Sequence, residues 1–473
     1  MPSRPWTLFA TFIVSVVSIV SCTTPSASRT RDPLRTQGEV TVAAEIDRFA
    51  DSVLRSVPVA GLSIVVKRGD QTLVSRGYGV ADVTTNRPMT VETASRIGSI
   101  TKTFTAIAIM KLVEQGRVDL DAPLTTYRPD IAAPAVTVRQ ALNHTSGLPD
   151  SEAGAMKQWM TERKPITHEY LLSVVRDNPH RSSGQTFAYN NSGFHLLGMV
   201  IEKVSGVPYR EFVRREIFDP AGLIATFMED GRPAHVAVTE NYYLRDKTFL
   251  RDSLWDLPGI YSAGGMYSSA ADLARLLSSL ADGRLLIAGS FRQLTAPTVL
   301  PSGARADYGL GVRLGSLDAH PKWGHTGSAR STRAAAAYYP RDSLTVVVLM
   351  NTEREDIPLS AIEIEGRVAR IVLGIPWKRR DDLRLSPAES SVYTGTYADA
   401  TVQSRIAESD GVLQLSRVGS TSPPVPLLYQ GGDEFADPEY PDFLFRFQKR
   451  EGKAIAFGRY DNGWFVGVRS RIQ

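Results

Sequence analysis

The sequence predicts an α+β fold: an antiparallel sheet flanked by helices and interrupted by an α-rich insertion, followed by a small antiparallel β domain at the C-terminus. Three observations carry that reading. Strand-like apolar runs stand near residues 62–76 and again near residues 333–350. Helical spacing dominates between them. Beyond residue 391 the texture changes to short alternating runs punctuated by Gly, Asp and Pro, as small β domains require.

In chain order, residues 1–21 read as a lipoprotein signal peptide. Arg4 and the amino terminus supply positive charge, and Leu8 to Val20 form an uncharged apolar run too short to span a bilayer comfortably. Ile19-Val20-Ser21 then resemble a bacterial lipobox ahead of Cys22, the expected lipidation site. Cys22 is the only cysteine, so an intrachain disulfide and a Cys-based zinc site are both excluded. Residues 22–42, rich in Ser, Thr and Pro, read as a flexible tether. The expected location is outside the cytoplasm, on a membrane facing the periplasm or cell exterior. An ordinary secretory signal with an incidental cysteine is the alternative. Cys22→Ala releases the protein from membranes under the first reading, and unchanged membrane association contradicts it.

Residues 43–375 form the main domain. Ala43 to Val57 has helical spacing, and strands follow at Leu62 to Lys67 and Thr72 to Arg76, joined through Arg68-Gly69-Asp70-Gln71. Ser99 to Glu114 reads as a largely buried helix closed by Gly116. Strands return at Arg333 to Tyr339 and Leu344 to Met350, and a helix is expected from Leu359 to Leu373. Residues 376–391 are charged and polar and read as a linker. Residues 392–473 form the β domain, with strand signals at Val412-Leu413-Gln414-Leu415 and Phe443-Leu444-Phe445-Arg446-Phe447. Lys and Arg total 54 against 50 Asp and Glu, a margin too thin for a nucleic-acid-binding stripe, so no nucleic-acid partner is expected.

The chemistry starts at Ser99-Ile100-Thr101-Lys102. A serine hydroxyl is a poor nucleophile unaided, and i, i+3 spacing on a helix places an amine beside it. In a dry pocket that lysine loses its preference for the charged form and can accept the proton. Ser-x-x-Lys alone is a weak signal, with a helix cap and a surface lysine as the bland reading. Tyr189-Asn190-Asn191 offers a phenol that can relay a proton and an amide that can orient the lysine and substrate. Tyr460-Asp461-Asn462 repeats that pattern in the tail, where it reads as a turn. His325-Thr326-Gly327-Ser328 completes the set: an edge strand can pair with substrate backbone, and Gly327 permits close approach. Gly-x-Ser-x-Gly and His-Glu-x-x-His are both absent, so the sequence gives no nucleophile elbow and no zinc ligand set. His144 reads as a packed or capping histidine.

Taken together, Arg96-Ile97-Gly98-Ser99-Ile100-Thr101-Lys102-Thr103-Phe104, Leu142-Asn143-His144-Thr145-Ser146-Gly147-Leu148, Tyr189-Asn190-Asn191-Ser192-Gly193, Ser262-Ala263-Gly264-Gly265-Met266 and His325-Thr326-Gly327 resemble the serine β-lactamase and DD-peptidase superfamily. The likeness is to its class C β-lactamase-like branch, which includes esterases and D-aminopeptidases, over about residues 45 to 373. The resemblance implies a β-lactamase/transpeptidase-like sheet, with Ser99 as acylated nucleophile, Lys102 as its activating partner and Tyr189 as general base and acid. Asn191 is implied as a positioning group, His325, Thr326 and Gly327 as the third motif, and the backbone N–H groups of Ser99 and Ser328 as an oxyanion hole. Class C β-lactamases generally carry Lys-Thr-Gly where this chain has His-Thr-Gly, and a neutral imidazole offers a substrate carboxylate less fixed charge. Tyr393-Thr394-Gly395-Thr396-Tyr397 opens a tail resembling the lipocalin-like domain appended to such hydrolases. The expected activity is exported, cofactor-free, metal-free hydrolysis of a small-molecule or peptide substrate: a small ester, a D-amino-acid peptide or a β-lactam. A penicillin- or peptidoglycan-binding lipoprotein without turnover is the rival reading.

Overall fold

The computed structural model describes residues 33–151, 166–246, 248–252, 260–353, 360–377 and 381–472. The expected signal peptide, Cys22 and the first part of the tether lie outside the described residues. Helix α1 runs Pro33–Ser56 and so begins ahead of the expected Ala43, within the stretch read as tether. Proline at the first helical position gives up an N–H that has no intrahelical partner, which makes Pro33 a natural start.

Strands β1 (Gly61–Arg68) and β2 (Gln71–Asp82) come from the beginning of the main domain. Its end supplies β3 (Arg313–Leu317), β4 (His320–Ala329), β5 (Thr332–Tyr339) and β6 (Leu344–Met350). They order as β2-β1-β6-β5-β4-β3, antiparallel throughout. The two chain ends meet at β1–β6, where Ile64 faces Val348 and Val66 faces Val346. Every residue of β6 is buried because helices cover both faces of the sheet. On one face, Ile46, Ala50 and Val53 of α1 pack with Ile364 and Val368 of α5 (Ala361–Leu373). On the other lie α2 (Thr101–Glu114), α3 (Asn191–Ser205) and α4 (Ala270–Ala281), which bury Ile107, Leu196 and Leu273. This apolar burial, at about 25 cal/mol per Å², is the main force holding the layers together.

The expected linker contains a helix, α6 (Pro387–Tyr393). Ser386 caps it, Glu389 closes a capping box and Pro387 occupies the first turn. Eight antiparallel strands follow from Gly395–Ala398 to β8 (Trp464–Arg471), each paired with the next, and the first pairs back onto the last. The result is a closed barrel around Tyr397, Phe435, Phe447 and Phe457. The expected β domain is therefore present, and it is docked rather than separate. β8 pairs with β3 at Gly315 and Trp464, and Phe187 and Tyr308 share an apolar cluster with Leu444 and Phe465.

Candidate active site

Gly98, Ser99 and Ile100 form a single 3-10 turn that feeds α2. Gly98 has φ +50°, and a Cβ there would lie 2.6 Å from the Ser328 carbonyl oxygen. A Cβ on Gly327 would lie 1.9 Å from the Ile97 carbonyl oxygen. Two glycines thus let the nucleophile turn lie directly on β4, a contact any side chain would prevent.

Lys102, one turn along, is fully buried beneath Ser99. Its Nζ is 3.1 Å from Ser99 Oγ, and it donates to Asn191 Oδ1 at 2.6 Å and to the Ala263 carbonyl at 2.8 Å. The residues preceding the two acceptors are themselves held. Asn190 caps α3 by accepting from the Gly193 N–H, its side-chain amide donates to the Leu148 carbonyl, and its own N–H donates to His144 Nδ1. Thr105 donates to the Ser262 carbonyl beside Ala263. A primary amine has two N–H bonds, and both find carbonyl acceptors here. The third tetrahedral position of Nζ faces Ser99, carrying a proton in the ammonium form and a lone pair in the amine.

Tyr189 lies across this pair with its ring 4.9 Å from Nζ, and its buried hydroxyl has no hydrogen-bond partner among the described residues. Ser99, Tyr189, Thr326, Gly327 and Ser328 line one cleft of about 430 Å³. Lys102 and Asn191 sit beneath it. β3 covers β4 only from His320 to Gly324, so residues 325–329 leave an open strand edge on that side, as the motif led us to expect.

His325 stands behind the cleft rather than in it. Its Nδ1 is 2.6 Å from the Thr326 carbonyl and its Nε2 is 3.0 Å from the Tyr308 hydroxyl, which fits a neutral ring donating through Nδ1 and accepting through Nε2. Burial pushes its pKa well below the usual histidine range, and the positive charge of Arg313 pushes the same way. His144 is buried against Tyr189, Tyr308 and Phe194, at 4.2 Å from the Tyr189 ring.

Sequence reasoning did not single out Arg313, which lines the cleft together with Arg333, itself paired with Glu353. The Arg313 guanidinium lies 5.2 Å from the Tyr189 ring and donates to the Phe465 carbonyl, while its Nε has no partner among the described residues. The available signal was the β3–β4 hairpin, whose register places Arg313 opposite Gly324, next to His325. Asp461 also lines the cleft, and it comes from the C-terminal barrel. Among the described residues no cluster of His, Cys, Asp and Glu is arranged to hold a metal ion, and no helix is long and apolar enough to cross a membrane.

The chain is similar to several known proteins. Penicillin-binding protein 4* of Bacillus subtilis (strain 168) is 26% identical over 354 residues, covering 70% of this chain and 77% of that protein. A putative penicillin-binding protein, PbpX, of the same organism is 27% identical over 278 residues, and the match spans 56% of this chain and 66% of that protein. The crystal structure of D-amino acid amidase from Ochrobactrum anthropi SV3 complexed with L-phenylalanine amide superposes with a TM-score of 0.60 at 26% identity, covering 72% of this chain and 97% of that one. The octameric penicillin-binding protein homologue from Pyrococcus abyssi shares the fold over 90% of this chain and 99% of its own, with a TM-score of 0.63 at 24% identity. The beta-lactamase family model matches residues 46–363, well over half of the chain, and with Ser99, Lys102 and Tyr189 gathered at one cleft this chain belongs to the beta-lactamase family of serine hydrolases.

Proposed function

We propose that the chain hydrolyses an ester or amide through an acyl-enzyme on Ser99. The observation that carries this is the Lys102 amine, whose two carbonyl acceptors leave its third position on Ser99 Oγ. Ser99 Oγ attacks the substrate carbonyl carbon as its proton passes to Lys102. The carbonyl oxygen becomes an oxyanion, held by the backbone N–H groups of Ser99 and Ser328, whose segments are in direct contact. Tyr189, with its hydroxyl unpartnered, hands a proton to the leaving alcohol or amine as the carbon–oxygen or carbon–nitrogen bond breaks. Water then attacks the acyl carbon as Tyr189 regains a proton from it, the bond to Ser99 Oγ breaks, and Lys102 returns its proton to Oγ, releasing the acid and free Ser99. Thr326 to Ser328 offer the open edge of β4 to the substrate backbone, and Arg313 supplies the positive charge that the neutral His325 does not. That charge is shared with the Tyr189 face and the Phe465 carbonyl, so ester and peptide substrates fit this reading better than efficient β-lactam turnover.

A fluorescent phosphonate tests the mechanism. Wild type acquires one adduct, on Ser99, and turns over p-nitrophenyl esters, whereas Ser99→Ala does neither. Lys102→Ala keeps its circular dichroism spectrum but acylates at least about a hundredfold more slowly, in line with the usual weight of general base catalysis. Normal acylation by Lys102→Ala removes the base assignment, and stable penicillin labelling without any turnover favours the binding-protein reading.

A further inference from the structure

His144 stands where a short helix, Val138–Leu142, ends. Asn143 is the cap residue, and the Thr145 N–H donates to the Gln140 carbonyl at 3.0 Å, so the chain leaves the helix through a left-handed turn at His144 with φ +59°. Glycine, and after it asparagine, is the ordinary residue at that place, because a Cβ is strained there. The histidine ring is buried among Tyr189, Tyr308 and Phe194, and its Nε2 has no partner among the described residues. A strained backbone and a half-satisfied buried ring both work against stability, so capping or packing alone does not account for this side chain.

The turn aims two acceptors of one residue at the segment that carries Tyr189. The His144 carbonyl accepts from the Ala188 N–H at 2.8 Å, and its Nδ1 accepts from the Asn190 N–H at 3.1 Å. The chain is therefore gripped immediately before and immediately after Tyr189, while the imidazole lies against the phenol ring at 4.2 Å. An Nδ1 that accepts carries no proton, which makes the ring the neutral Nε2–H tautomer. Burial favours that form by pushing the His144 pKa well below the usual histidine range. The Tyr189 hydroxyl has no partner of its own among the described residues, so its backbone and ring face set where it stands beside Lys102.

We propose that His144 is a positioning residue for the proton relay: its carbonyl and Nδ1 hold the backbone on both sides of Tyr189 and so aim the phenol at the leaving group. This deepens the hydrolase reading and rests on it. The test uses the full chain with a p-nitrophenyl ester and an ethyl ester of the same acid. Nitrophenolate departs with little help, whereas ethoxide departs only as it is protonated, so the ratio of the two kcat/KM values reports how well Tyr189 delivers its proton. His144→Gly suits the left-handed backbone and removes the side-chain acceptor, whereas His144→Asn suits it nearly as well and returns an acceptor oxygen. In His144→Gly the p-nitrophenyl-to-ethyl ratio rises at least about tenfold, and in His144→Asn it falls back to within about threefold of wild type. A ratio that rises less in His144→Gly, or stays raised in His144→Asn, overturns the inference and leaves the Ser99 chemistry standing. Nitrogen-15 spectra of histidine-labelled protein give a reading independent of whether His144→Gly folds: the wild-type ring whose signals vanish in His144→Asn is the Nε2–H tautomer, and an Nδ1–H form there overturns the inference. Absence of a phosphonate adduct on wild-type Ser99 overturns the hydrolase reading and this inference with it.

Discussion

His144, His195 and His325 are each buried to about 1% exposure; His195 and His325 engage both ring nitrogens, while His144 accepts at Nδ1 and its Nε2 has no partner among the described residues. His195, for example, has Nδ1 3.2 Å from the Ser151 hydroxyl and Nε2 3.3 Å from the Ile260 carbonyl. Burial lowers the pKa of all three, that of His195 to about 3. The unfolded chain takes up protons near pH 6.5 that these rings refuse, so stability is complete above that value and is lost as pH falls toward the folded values. From pH 7.5 to 5.5 each ring contributes a loss of up to about 1.4 kcal/mol, or up to about 4 kcal/mol for the three. Urea midpoints at the two pH values measure it, and equal midpoints contradict neutral burial. Single residues were legible in sequence where local geometry set their neighbours: Ser99 and Lys102 share a helical face, and Asn190 and Asn191 flank a helix start. Arg313 and Asp461 were not legible, because strand register and barrel docking bring them to the cleft.

At the level of elements, the hairpins and helices of the main domain followed from periodicity and turn residues, and β5, β6 and α5 lie within a few residues of their expected bounds. Helix α6 was missed although Ser386-Pro387 with Glu389 is a start signal, because the charged residues around it suggested a linker. The turn that joins the strand β7 (Lys453–Asp461) to β8 was read as an ordinary tail turn. Sequence shows that it turns and gives no hint that Trp464 leaves the barrel to pack with α5 and the main sheet, its indole donating to the buried Glu365 at 2.9 Å. Trp464→Ala therefore removes a core side chain and leaves Glu365 short of a donor, destabilising the protein by about 3–5 kcal/mol. Trp464→Phe keeps the ring and loses the indole bond, at about 1–3 kcal/mol. Chemical denaturation of the full chain distinguishes them, and equal losses for the two variants would show that packing alone sets the cost.

For the whole molecule, the α+β class and the assembly of one sheet from distant segments were legible because β1 and β6 carry apolar runs, Ile64 to Val66 and Val346 to Met350, while the intervening chain has helical spacing. Closure of the barrel was not, since alternation assigns a residue to a face and says nothing about which strand is its neighbour. The single β3–β8 pairing also escaped notice, although it makes sheet and barrel one hydrogen-bonded surface. The three catalytic motifs are written in the family-matched stretch, while the turn that reaches their cleft is written beyond it. Cutting the chain where the family match ends would keep every motif of the chemistry and yet strip one wall from the cleft and the carbonyl that holds Arg313.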